Sequence, residues 1–221
     1  LLDMEIEAAS QDEVDATVKV MGGEDWQDWV NRLKRAGVLA DDFKTVAYSY
    51  LGTEQTQEIY GASTLGVAKA HLHETAFAID QSLQSINGRA HIGLFQALAS
   101  PSSCIVPGMP LYISVLNQLQ KKAGTFELPV EQAIRLLIDN MYDDNQSKNM
   151  KLRVDDLERE ENIQKRISQI LSDVVQDNLT DLVDVESYKT DILRQYGFSY
   201  DFINYEIKPD PLTPPSLHNF A

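Results

Sequence analysis

Only two stretches of this chain alternate well enough to be strands, Phe43 to Tyr50 and Arg89 to Ala97, and a helix from Thr64 to Leu83 lies between them. Two strands are too few for a stable doubly wound sheet. No glycine-rich phosphate loop opens a strand-to-helix unit anywhere in the sequence. The chain is therefore expected to complete a sheet begun by another polypeptide or by an upstream segment. The second strand is expected to present an unpaired edge.

Helical signals surround these strands. Ser10-Gln11-Asp12-Glu13 reads as a capping box ahead of Val14, Val18 and Met21, and Gly22-Gly23 stops that helix. Glu24-Asp25 opens a second helix with Trp26, Trp29, Val30 and Leu33 on one face, and both tryptophans are expected in the core. Asn87-Gly88 marks a turn, and Pro101, Pro107 and Pro110 stiffen a loop before the apolar helix Leu111 to Leu119. Val130 to Met141 reads as a helix, residues 143–149 as a solvated loop, and Asp155 to Leu179 as one long helix. Its charges Glu158, Arg159, Glu160, Glu161, Lys165 and Arg166 are expected on an exposed face. From Pro209 onward four prolines forbid a helix, which divides the chain into a domain over 1–208 and an extended tail over 209–221.

Composition bounds the partners. A net charge of −15 with no basic run argues against nucleic acid or an anionic membrane. The single cysteine, Cys104, excludes an internal disulfide and a cysteine-built metal site. No apolar run is long enough for a membrane helix or a signal peptide, so a soluble intracellular protein is expected, in the cytoplasm or the mitochondrial matrix. A chain opening Leu1-Leu2-Asp3 is expected to be a processed or partial product.

The chemistry concentrates in residues 46–69. The first strand closes on Tyr50, a turn follows, and Tyr60 stands nine residues before Lys69. A phenol facing an oxygen that gains negative charge can donate a hydrogen bond or a proton, and a nearby ammonium favours this. At 100° per residue, nine helical steps would put Tyr60 and Lys69 on opposite faces of a straight helix. They converge only if part of Gly61 to Gly66 is not helical, and the two glycines supply that freedom. Gly61-Ala62-Ser63-Thr64-Leu65-Gly66 itself resembles a dinucleotide-binding loop, but Leu51 to Ile59 separates it from its strand, which argues against a pyrophosphate site. His71 and His73, two apart on a helix, point away from each other, so a helix-surface pair and no metal is expected.

Val46-Ala47-Tyr48-Ser49-Tyr50-Leu51-Gly52, with Thr56, Ile59-Tyr60, Thr64-Leu65-Gly66, Ala68-Lys69 and His71-Leu72, resembles the signature of the FabV-type trans-2-enoyl-CoA or enoyl-acyl-carrier-protein reductases. The resemblance extends over most of the chain, through residues 16–26, Pro110 to Ser114, Gly124-Thr125, Glu131-Gln132, Asn178-Leu179 and Tyr196-Gly197-Phe198. It implies an α/β, helix-rich fold, the C-terminal half of a Rossmann-type doubly wound reductase whose cofactor-binding unit lies upstream. It also implies NADH-dependent reduction of a trans-2-enoyl thioester, on CoA or acyl carrier protein, in fatty acid synthesis. Tyr60 would be the proton donor and Lys69 a partner of both the phenol and NADH. Tyr50 and Tyr112 would contact substrate, and Leu98, Ala99 and Ser100 would match a segment touching the nicotinamide. Family members usually carry Thr where Ser100 stands. The alternative is a reductase-derived subunit kept in an assembly for its surfaces.

Overall fold

The computed structural model describes residues 7–207; the proline-rich tail lies outside them. Ser10 starts α1 (Gln11–Met21) with the expected capping box: its Oγ accepts from the Glu13 N–H at 3.4 Å, and the Glu13 carboxylate accepts from the Ser10 N–H at 2.8 Å. After Gly22-Gly23, α2 (Glu24–Arg35) places acidic residues in its first turn and basic residues in its last, as the helix dipole favours. Trp26 packs on the core and donates from Nε1 to Thr45 Oγ1 at 2.9 Å. Trp29 corrects the expectation, being 60% exposed, because it sits about 100° round the helix from buried Val30.

β1 (Lys44–Ser49) leads through a short helix, α3 (Glu54–Thr56), and a π-helical turn (Gln57–Gly61) into α4 (Thr64–Leu83), which has the expected bounds. α4 crosses back to β2 (Arg89–Leu94), which pairs parallel with β1 from Lys44↔Arg89 to Ser49↔Leu94. Apolar positions of α4, among them Leu72, Ala76, Ile79 and Leu83, bury against Ala90, Ile92 and Leu94 of β2.

Next come α5 (Pro101–Ile105), α6 (Met109–Ala123) and α7 (Pro129–Arg135). The expected helix to Met141 is only half α-helical, since a π-helical turn (Leu136–Met141) completes it. That turn covers the other face of the sheet, where a Cβ on Gly93 would fall 2.6 Å from a Leu136 methyl. The two-strand expectation is also corrected. β3 (Lys151–Arg153) pairs parallel with β2, so β2 is central and the open edges among the described residues belong to β1 and β3. Three residues with only Leu152 buried are too few to show alternation.

The expected long helix is broken. Asp155 to Arg159 forms a turn, with the Arg159 N–H donating to Asp155 O and Asp156 O, before α8 (Glu161–Asp173) begins. A short α9 (Leu179–Leu182) and α10 (Val185–Gln195) follow. The largest core lies between α6, α8 and α10, around Ile113, Leu116, Ile167 and Tyr188. No described helix is long and apolar enough to cross a membrane.

Candidate active site

The residue after β1 anchors a polar cluster. Tyr50 donates to Glu158 Oε1 at 3.0 Å and lies 3.2 Å from Thr56 Oγ1. Tyr112 of α6 donates to the same Glu158 Oε1 at 2.7 Å, and the Ala97 N–H donates to Glu158 Oε2 at 2.8 Å. The Gln164 side chain, on α8, donates to the Tyr112 hydroxyl at 3.1 Å and to the Glu158 carbonyl at 2.6 Å. Glu158 is 1% exposed, which overturns its expected place on a solvated helix face. Burial raises its pKa above the ordinary carboxylate range, against the lowering effect of its three donors. Burial first, and then the Glu158 charge, pushes the Tyr50 and Tyr112 hydroxyls well above the usual phenol range.

Tyr60 meets this cluster through its ring. The Tyr50 and Tyr60 rings are edge to face, with centroids 5.0 Å apart and planes at 79°. Burial alone raises the Tyr60 hydroxyl, so it stays a neutral donor near pH 7. Tyr60 belongs to the π-helical turn, and the chain breaks at Ala62-Ser63 before α4 carries Lys69 onward. The non-helical interval required by the nine-residue spacing is thus present. No hydrogen bond joins the Tyr60 and Lys69 side chains among the described residues, and burial lowers the Lys69 pKa.

Gly66 has a different use from the one its spacing suggested. A Cβ there would lie 1.9 Å from Gly61 O, so the missing side chain lets the first turn of α4 press against the turn that holds Tyr60. His71 is likewise more than a surface residue: its Nδ1 accepts from the Gly23 N–H at 3.0 Å, tying the α1–α2 junction to α4. His73 instead places Nε2 3.4 Å from Ser49 Oγ.

Beyond β2 the chain passes the cluster again. Ala97 and Ala99 are buried in the α6 core and Leu98 packs beside Phe95 and Leu136. Ser100 is the N-cap of α5, its Oγ accepting from the Ser103 N–H at 3.1 Å. Near this cluster an open groove of about 500 Å³ runs along Leu51, Gly52, Thr53, Arg153, Arg159 and Gln164. Tyr50, Tyr60 and Tyr112 are therefore gathered into one neighbourhood, while Glu158, Thr53 and Gln164 join them without having been singled out. Glu158 could not have been, because it stands in a run of charges that looks the same whether solvated or folded inward.

Residues 1–142 match the family model described as the trans-2-enoyl-CoA reductase catalytic region, and residues 142–208 match the enoyl reductase FAD binding domain. The enoyl-acyl-carrier-protein reductase (NADH) of Saccharophagus degradans is 42% identical over 95% of this chain and 54% of its own length. Its counterpart in Pseudoalteromonas translucida is 40% identical over 96% and 54%. Crystal structures of trans-2-enoyl-CoA reductases are similar too. That of Clostridium acetobutulicum with NADH has a TM-score of 0.85 at 33% identity, covering 93% of this chain and 52% of that one. That of Treponema denticola with NAD has a TM-score of 0.85 at 36% identity, covering 92% and 51%. The chain spans about half the length of the curated relatives it matches.

The flavin in the second model's description does not fit residues 142–208. Their one glycine, Gly197, follows α10, so no glycine-rich turn enters a helix to take a pyrophosphate. Their buried carboxylates are already engaged: Asp155 by Arg153, Glu158 by the two tyrosines, and Asp191 by Lys121 and Asn117. The matching catalytic-region model over residues 1–142 and the relatives' identity over nearly the whole chain place it in the trans-2-enoyl-CoA reductase family.

Proposed function

We propose that this chain is the catalytic and substrate-binding half of an NADH-dependent trans-2-enoyl thioester reductase, and that its Rossmann-type sheet is completed by an upstream half. The open edge of β1 is where a strand of that half would pair. The observation that carries the reading is the Tyr60 ring set against Tyr50 by a π-helical turn, beside the helix that bears Lys69. NADH, held largely by the upstream half, supplies a hydride to the β-carbon of the substrate. The described residues offer Lys69 and the stretch Leu98 to Ser100 for its nicotinamide end, and no cradle for its phosphates.

Negative charge then develops on the thioester oxygen. Tyr60 donates its proton or hydrogen bond there, and between the two neighbouring phenols it is the better placed. Tyr50's single proton is engaged by Glu158, whose charge also makes it harder to release. Lys69, carried by α4, is the cation assigned to the phenol and to the cofactor. Tyr112, with its own proton on Glu158, shapes the wall of the acyl site. The substrate is an enoyl group on CoA or on acyl carrier protein. An intact tyrosine and lysine arrangement weighs against a purely structural subunit.

The test is Tyr60→Phe in the complete polypeptide containing this chain. It removes one hydroxyl from a partly buried ring, so folding should survive, while kcat should fall roughly 100- to 10,000-fold. Near-normal turnover of the folded variant in an NADH oxidation assay overturns the assignment.

A further inference from the structure

We infer that Glu158 is a positioning residue of this active site: by accepting from the Tyr50 and Tyr112 hydroxyls and the Ala97 N–H, it fixes the Tyr50 ring that orients Tyr60. The inference rests on Tyr60 being the proton donor, as proposed above.

Glu158 gathers donors from three separate places. Tyr50 follows β1, Tyr112 lies on α6, and Ala97 lies beyond the end of β2. A carboxylate at 1% exposure is costly to bury, and no lysine or arginine pairs with it among the described residues. Packing alone would be served at lower cost by a neutral side chain of the same size. The carboxylate offers two acceptor oxygens and no donor, which suits three incoming donors. A glutamine in the same place would either set its NH2 against the Ala97 N–H, donor against donor, or turn it to the phenols, which would then accept and send their own protons to other partners.

The consequence reaches Tyr60 through packing. Tyr50 donates to Glu158, while Thr56 Oγ1 beside it accepts from the Thr53 N–H at 2.9 Å and donates to Thr53 O at 3.2 Å, closing the turn ahead of Tyr60. The Tyr50 ring is then held at its hydroxyl end and presents a fixed wall to Tyr60, 5.0 Å away. Gln164, bonded to the Glu158 carbonyl, holds the turn that carries the carboxylate. What the second family region brings to the reaction, on this reading, is an acceptor inserted into the catalytic region.

The test is a double-mutant cycle in the complete polypeptide. Glu158→Gln should lower kcat about 10- to 100-fold, the scale of a donor displaced by about 1 Å, while the KM for NADH changes less than about threefold. In a Tyr60→Phe background the same substitution should cost less than about threefold, because the group being aimed is already gone. A folded Glu158→Gln variant within about threefold of the parent kcat, or an equal loss in both backgrounds, overturns the inference. If Glu158→Gln fails to fold by thermal melting, Tyr50→Phe, which keeps the ring and deletes only the held hydroxyl, should give the same pattern. Equal losses in both backgrounds for that variant overturn the inference as well. Near-normal turnover by Tyr60→Phe alone defeats the proton-donor reading and this inference with it, whereas a loss there with none for Glu158→Gln defeats this inference only.

Discussion

Ser100 caps α5 through its hydroxyl and also stands where the family resemblance places the nicotinamide contact. Two substitutions separate those roles. Ser100→Ala removes the cap and should cost about 0.5 to 2 kcal/mol of stability. Ser100→Thr keeps the cap and adds a methyl. If the side chain lies where acyl chain and nicotinamide meet, Ser100→Thr should shift the ratio of kcat/KM between short and long enoyl thioesters by up to about 200-fold, since a pocket methylene is worth about 1 to 3 kcal/mol. Unchanged preference across chain lengths for both variants would place Ser100 away from the acyl channel. The break between Tyr60 and Lys69 was legible at this scale because nine helical steps would set the two on opposite faces of one helix. Glu158 was not, because its burial depends on a turn that no local pattern distinguishes from the start of a helix.

At the scale of elements, one departure from regular α-helix carries the candidate proton donor. The π-helical turn Gln57–Gly61 carries Tyr60, and Gly66 lets α4 approach it. Gly66→Ala would drive a Cβ into the Gly61 carbonyl, a backbone contact that cannot swing aside. It should therefore cost about 1 to 3 kcal/mol by overpacking and also lower kcat by moving Tyr60. Denaturant midpoint and turnover, measured together, check this, and a variant equal to the parent in both would show that the close approach is not needed. The strands and α4 followed from periodicity, whereas β3 and the Glu158 turn did not. A three-residue strand is recruited by its neighbour β2 rather than by its own alternation. The charged run before α8 gave no sign of where the helix would start, because helix propensity is nearly the same on either side of the turn.

For the molecule as a whole, the three-stranded sheet leaves β1 without a partner on one side among the described residues, and the chain matches only about half the length of its relatives. With no phosphate cradle among its described residues, the isolated chain should not bind NADH with micromolar affinity, while the complete polypeptide should. A fluorescence titration of both, showing tight binding to the isolated chain, would place the cofactor site inside these residues after all.

The amino-acid sequence by itself determined the β1–α4–β2 unit, the capped first helix and the break between Tyr60 and Lys69. Each of these follows from local periodicity or cap chemistry, both of which act between near neighbours. The tertiary structure alone decided that β2 is central, that Trp29 faces solvent, that His71 holds the Gly23 backbone, and that Glu158 turns inward to two tyrosines. These depend on groups up to 108 positions apart in the chain, such as Tyr50 and Glu158. Whether a carboxylate at such a distance meets water or two phenols is settled only when packing has removed the water.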